Sequence, residues 1–328
     1  MIIIHLAALS GILLMGACLI ASKRNRPAPG TGCLAALFLA ALALRLAAAA
    51  LSKGFDTDTA CFAVWAERIR AVGPGGFYDP DVFSDYPPGY LYVLWLLDGV
   101  RRLLGIEHYS AAHLVLLKLP SILCDLACGW LLCREAAKRL SGRHAFFLCA
   151  AYLFHPVILL NSSVWGQVDS LTALAAVFLC VSLIRGRMYP AYIAFGLGLL
   201  VKPQMLLLGP VLLVGTIDRI LASRRGGSGG RAASFLPELL HCLFQCLSVA
   251  LGGVILCLPF GLAKVVAQLL DTLGSYPYAA VNACNLWGFL GLNWVSQDNG
   301  FWGVPYRCFG ALAIAAAVAL TLLLSLRG

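Results

Sequence analysis

The sequence predicts an all-α, polytopic membrane protein, and three observations carry that prediction. Of the 328 residues 61% are hydrophobic and 12% charged, about half the charged fraction of a soluble domain, and the mean hydropathy is +0.86. Apolar runs of helical length recur along the whole chain, and the loops between them sort by charge. The net charge of +9 does not point to nucleic acid, because the Lys and Arg are scattered between apolar runs and form no basic face interleaved with aromatics.

Taken in order, the runs place nine spans at residues 2–21, 33–51, 113–133, 145–160, 171–184, 189–201, 205–217, 236–260 and 302–326. The first is followed by Lys23, Arg24 and Arg26 and lacks a small-residue cleavage site, so it reads as a retained helix rather than a signal peptide. Thirteen cysteines lie mostly within the runs. Pairs such as Cys124/Cys128 and Cys242/Cys246 have i, i+4 spacing without a ligand set, and read as small apolar filler.

With the loop of Lys23 inside, fourteen basic residues fall on the cytoplasmic side, in the clusters at Arg134 to Arg143, Arg185/Arg187, Arg219 to Arg231 and Arg327. That assignment requires residues 87–104 not to span. The nine residues between Pro88 and Asp98 rise only roughly 14 Å as a helix, against roughly 30 Å of hydrocarbon. They read as an amphipathic surface helix, with Tyr and Trp at headgroup level and Arg101 and Arg102 on the wet side.

Eleven of the fifteen acids then fall outside, most of them in a first external loop at 52–112. A helix is expected there over 58–71, with Phe62, Trp65 and Ile69 on one face. A last external loop covers 262–300. The two short spans around "KPQ" predict a hairpin whose tip lies below the outer surface; one long helix kinked at Pro203 is the alternative. The whole chain reads as one domain without internal repeats, and "RRGGSGGR" at 224–231 reads as a flexible linker.

The candidate site residues lie on the external side. Asp58, in "GFDTDTACFAVWAERI", reads either as a helix cap or as a general base at a membrane-embedded pocket. Asp85 and Tyr86 stand in "SDYPPGYLY", a segment that also suits a turn seating the surface helix. "FHPVILLNSSVWGQVDS" places His155, Trp165, Gln167 and Asp169 near the mouth of two spans, where Trp165 suits an interface belt and Asp169 a cap. Lys118 and Lys202 lie near the outer boundary, suited to a lipid phosphate or to snorkelling. Arg45 and Asp125 lie inside spans at similar depth and are expected to pair structurally. Asn282, Asn285 and Trp287 in the last loop suit a sugar, and turn chemistry also accounts for the Asn. HExxH, P-loop, GxSxG and GxGxxG patterns are absent, which removes the common soluble hydrolase and nucleotide chemistries.

These pieces in their order resemble the GT-C superfamily of polyprenyl-phosphate-sugar-dependent glycosyltransferases. The nearest likeness is to bacterial proteins related to the second GPI mannosyltransferase; the dolichyl-phosphate-glucose-dependent glucosyltransferases are more distant. The residues that carry it are Asp58 seven before Trp65, then "DYPPGYLY", "KLPSILCD", "LFHPVILLNSSVWGQVDS", "VKPQM" and "AAVNACNLW", from about residue 54 to 290.

The resemblance implies a GT-C-like bundle with external juxtamembrane helices. It also implies an inverting hexosyltransferase that moves mannose or glucose from a polyprenyl-phosphate donor to a lipid-linked or cell-envelope acceptor. Asp58 falls on the family's base, Gln167 on the Gln of a "HFQYN"-like segment, and Lys202 and Gln204 on a "KQM"-like motif interrupted by Pro203. Asp85, Tyr86, Lys118, Trp165, Asp169, Asn282 and Asn285 complete the expected donor and acceptor contacts. The donor is expected to enter from the outer leaflet of a bacterial cell membrane, with its phosphate near Lys202 or Lys118 and the surface helix roofing the pocket. No metal ligand set is expected, and assistance by a divalent cation at Asp58 stays open. Relatives usually continue through further spans, so a chain cut short at its C-terminal side is expected. The rival reading is a lipid-linked-sugar flippase or transporter, and a third is a non-catalytic scaffold.

Overall fold

The computed structural model describes residues 29–225, 235–281 and 286–327. The first expected span, the linker's glycines, Asn282 and Asn285 lie outside them. The described chain is mostly helical: α1 (Thr31–Leu51), α2 (Asp56–Val72), α3 (Pro88–Leu103), α4 (Ala111–Ala136), α5 (Gly142–Leu153), α6 (Pro156–Leu159), α7 (Asp169–Ile184), α8 (Met188–Val201), α9 (Gly209–Arg225), α10 (Phe235–Cys257), α11 (Leu262–Gly274), α12 (Leu286–Phe289) and α13 (Tyr306–Arg327). A two-residue antiparallel ladder, β1 (Gly300–Phe301) with β2 (Val304–Pro305), precedes α13.

Among the described residues four helical segments are long and apolar enough to cross a membrane: Thr31–Leu51, Ala111–Ala136, Pro203–Ser223 and Phe235–Phe260. A fifth is reached if Gly142–Leu153 and Pro156–Trp165, bent by 45°, count as one broken span. Asp169–Ile184, Met188–Val201 and Tyr306–Thr321 are apolar but shorter. Among the described residues the structure therefore supports an all-α membrane protein with four to five such spans, and the first of the nine expected lies outside those residues.

Residues 52–112, expected as the first external loop, carry two packed helices. Asp56 and Asp58 in the first turn of α2 suit the positive end of its dipole, and Gly73 with φ +70° ends it. Its face of Phe62, Trp65, Ala66 and Ile69 is buried at helical spacing against Tyr86, Tyr90, Leu91 and Leu94. Helix α3 opens on Pro88, which has no amide to leave unpaired. It is not among the spanning segments, as its length predicted. The wet-side placement of Arg101 is corrected. Its guanidinium is buried, donating to Asp98 Oδ1 at 2.8 Å and to the Ile106 carbonyl at 3.1 Å. Arg102 is half exposed, and Tyr90 lies in the core rather than at headgroup level.

The hairpin at "KPQ" is present. The Tyr192 and Thr216 hydroxyls lie 2.9 Å apart. In one continuous helix residues 24 apart would be separated by roughly 36 Å, so the kinked-helix alternative is overturned. At the tip Lys202 is extended, with φ −147° and ψ 131°, between α8 and a 3₁₀ turn at Pro203–Leu208.

Helices α4 and α7 pack together and run in the same direction, with α8 returning alongside α7. Ser121 and Asp169 stand at one end of this layer, and Glu135, bonded to Arg185 and Lys138, at the other. The core pair also forms: Arg45 Nε is 3.1 Å from Asp125 Oδ2, with both side chains at most 1% exposed.

Candidate functional site

The site forms where α1, α2, α4, α7 and α8 end together, and a break in the α5–α6 segment assembles it. After the His155–Pro156 bend the chain makes a π turn over Leu160–Trp165 and leaves through Gly166 at φ +90°. Turns of this kind concentrate at functional sites. Three hydroxyls and one amide fasten it. Ser162 donates to Asp125 Oδ2 at 2.6 Å, Ser52 to the Val164 carbonyl at 2.9 Å, and Ser121 to the Gln167 carbonyl at 2.8 Å; the Phe55 amide donates to the Trp165 carbonyl at 2.9 Å. A Cβ on Gly54 would stand 2.5 Å from Thr59 Cγ2 and 2.8 Å from the Trp165 carbonyl oxygen, so only glycine admits this approach.

So fastened, the turn presents Trp165 and Gln167 to Asp58. Trp165 Nε1 donates to Asp58 Oδ2 at 2.8 Å and Gln167 Nε2 to the same oxygen at 2.5 Å, while the Phe55 ring packs on the indole at 4.9 Å. The cap reading of Asp58 fails, since α2 begins at Asp56 with Phe55 in the cap position and no side-chain cap bond. The same holds for Asp169, the first residue of α7. It accepts instead from Asn161 Nδ2 at 3.0 Å and Lys202 Nζ at 2.5 Å.

Tyr86 is the hub between these groups. Its hydroxyl lies 3.3 Å from Gln167 Oε1, which also accepts from Lys202 Nζ at 3.2 Å, and its ring lies 5.4 Å from that ammonium. Asp85, beside it, accepts from the Tyr276 hydroxyl at 2.8 Å. Burial raises the Asp85 pKa above the ordinary carboxylate value against the lowering effects of the Tyr276 bond and Lys202, and the nearby Asp58 charge raises it further. Burial likewise raises the Tyr86 phenol, aided by Tyr90 and by the Asp85, Asp169 and Asp58 charges around it.

The sequence-predicted residues thus divide. Asp58, Asp85, Tyr86, Trp165, Gln167, Asp169 and Lys202 come together. Gln204 is exposed and lines, with Lys202, Asp169 and Leu208, a cleft of about 230 Å³. Lys118 is fully buried, and its ammonium donates to the Ser52 carbonyl at 2.6 Å and the Ala49 carbonyl at 3.3 Å, closing the end of α1. Trp287 packs on Tyr306 at 5.4 Å, at the start of α13. Sequence reasoning missed Ser52, Ser121, Ser162 and Tyr276. Ser121 and Ser162 lie within quoted motifs, but nothing in the sequence assigned their hydroxyls a partner. Among the described residues no group of three or more His, Cys, Asp or Glu could hold a metal ion.

No known protein family, curated protein or solved structure matches this chain. The geometry and the sequence motifs therefore carry the functional reading.

Proposed function

We propose that the chain is a membrane-embedded glycosyltransferase of the GT-C kind, moving a hexose, mannose or glucose, from a polyprenyl-phosphate donor to a lipid-linked or envelope acceptor at the outer membrane face. One observation carries the reading: of the carboxylates gathered here, Asp58 alone is set up as a base. Asp169 is neutralised by Lys202, and burial favours the protonated form of Asp85. Asp58 has no cationic partner among the described residues and is held by two neutral N–H donors on Oδ2, which leaves Oδ1 to accept a proton.

In the reaction the acceptor hydroxyl gives its proton to Asp58 as its oxygen attacks the anomeric carbon. The bond from that carbon to the phosphate oxygen breaks, its electron pair leaves with polyprenyl phosphate, and the configuration inverts. The leaving group already carries charge, so cationic stabilisation by Lys202 at the cleft suffices in kind. The apolar wall of that cleft, Ala173, Ala176 and Leu208, suits the start of a prenyl chain.

One observation favours the rival transporter reading, the extended break between two apolar helices at Lys202, a feature of transporter sites. A single experiment separates the two. Purified chain in liposomes is given labelled polyprenyl-phosphate hexoses and a membrane-lipid acceptor extract. Transfer lost in Asp58→Asn, by at least 100-fold for a general base, supports the transferase. Movement of donor between leaflets without product overturns it.

A further inference from the structure

A second cleft, of about 310 Å³, opens where α1 ends and α4 begins. Ala50, Leu51 and Lys53 line one side, Ala111 and Leu114 the other, with Tyr109 at the rim. It lies between the ends of two helices that are 21 and 26 residues long and apolar enough to span, with Ala50, Leu51 and Ala111 exposed and Leu114 buried at its base.

The cation here differs from the other lysines of this end. Lys118 points inward to backbone carbonyls, Lys202 is paired with Asp169, and Lys264 donates to the Gly75 carbonyl. Lys53 is exposed and has neither an ion pair nor a hydrogen bond among the described residues. Tyr109 is held in the left-handed region at φ +59°, uncommon for a bulky residue. Its amide donates to His113 Nδ1 at 2.9 Å, and its hydroxyl lies 3.4 Å from Thr59 Oγ1, the residue next to Asp58.

An unpaired ammonium beside the apolar ends of two helices long enough to span has the chemistry of a headgroup site. We propose that this cleft binds an anionic membrane lipid, with the headgroup phosphate at Lys53 and the first carbons of its chains against Leu51 and Leu114. The site is distinct from the Lys202 cleft, which lies at another helix pair, and its Tyr109 touches Thr59, the neighbour of Asp58 in the chain. The proposal goes beyond the transferase reading and does not depend on it, because occupancy is read without turnover.

The test is photolabelling of the full chain in neutral-lipid nanodiscs with a photoreactive phosphatidic acid, the labelled peptides being mapped by mass spectrometry. Label is expected in residues 50–53 and 109–114. Lys53→Gln should lower it about tenfold, the loss of one charge-assisted contact; Lys53→Arg should retain it, and Lys202→Gln should leave it unchanged. Lys53 is exposed, so its substitution leaves the fold intact. Equal labelling in Lys53→Gln, equal labelling by a photoreactive phosphatidylcholine, or full displacement by millimolar inorganic phosphate would each overturn the proposal.

Discussion

Replacing Asp125 by Asn should destabilise the protein by about 3 kcal/mol, the lower end of what breaking a buried ion pair costs. The carboxylate is 1% exposed and the Arg45 side chain 0%, so neither charge has water to fall back on. Asp125 Oδ2 takes both the guanidinium at 3.1 Å and the Ser162 hydroxyl at 2.6 Å. Asn keeps an acceptor for one of them but leaves the guanidinium without its counter-charge. Removing both charges together, as in Arg45→Met with Asp125→Leu, should recover most of the loss, since well-packed apolar replacements of buried pairs are often neutral. The assay is reversible unfolding in mixed micelles, followed by far-UV circular dichroism. The single variant should lose about 150-fold in folding equilibrium constant, and the double variant far less. A single variant within about 0.5 kcal/mol of the parent, the usual range for a surface change, or a double variant as unstable as the single, would refute the reasoning.

Gly89→Ala should lower the melting midpoint, because its Cβ would meet the Leu200 carbonyl oxygen at 2.5 Å and two backbones cannot both hold position. The overpacking cost is about 2 kcal/mol, and an unchanged midpoint would show that α3 does not depend on α8 for its seat. At Asp98, burial raises the pKa, but the bonds and charges of Arg101 and Arg102 outweigh it and hold the carboxyl below its ordinary value. Its contribution to stability is therefore present above the ordinary carboxylate pKa and is lost as pH falls through the lowered one. Asp85 has the opposite sign, its contribution being complete below the ordinary value and lost as pH rises through the raised one. Acid titration of Trp fluorescence should show the Asp98 step disappearing in Asp98→Asn and persisting in Asp85→Asn.

What could be read from the sequence was set by length, charge and depth. The absence of residues 88–103 from the spanning segments follows from the nine-residue apolar stretch that Asp98 cuts short, and the meeting of Arg45 with Asp125 from two charges at one depth that could not remain unpaired. The turn at "KPQ" was one of two readings that the short runs allowed, and the contact of Tyr192 with Thr216 decides for the hairpin. The break between His155 and Gly166 and the early ends of several apolar helices did not follow, since hydropathy records neither a bend nor a helix end. Nor did the joining of the site. Gln167 meets Lys202 and Asp58 only because a π turn reorients it, and no local pattern in "NSSVWGQ" announces a π turn. Lys118 illustrates the limit most plainly. A lysine near a membrane boundary snorkels outward by default, but here its ammonium turns inward to the carbonyls at the end of α1.

The layer of α7 and α8 carries a consequence for the surrounding lipid. From Asp169 to Arg185 the helix rises roughly 24 Å, and from Arg187 to Lys202 roughly 22 Å, both less than the roughly 30 Å of an ordinary hydrocarbon core. Such a mismatch is relieved by thinning the bilayer around the shorter segment. Beside these helices the leaflet would dip, bringing phosphates down to Lys202 instead of requiring each lipid to climb to it. The protein would then shape the local membrane to its own depth, and the acyl-chain length of the host bilayer would become a variable of its chemistry.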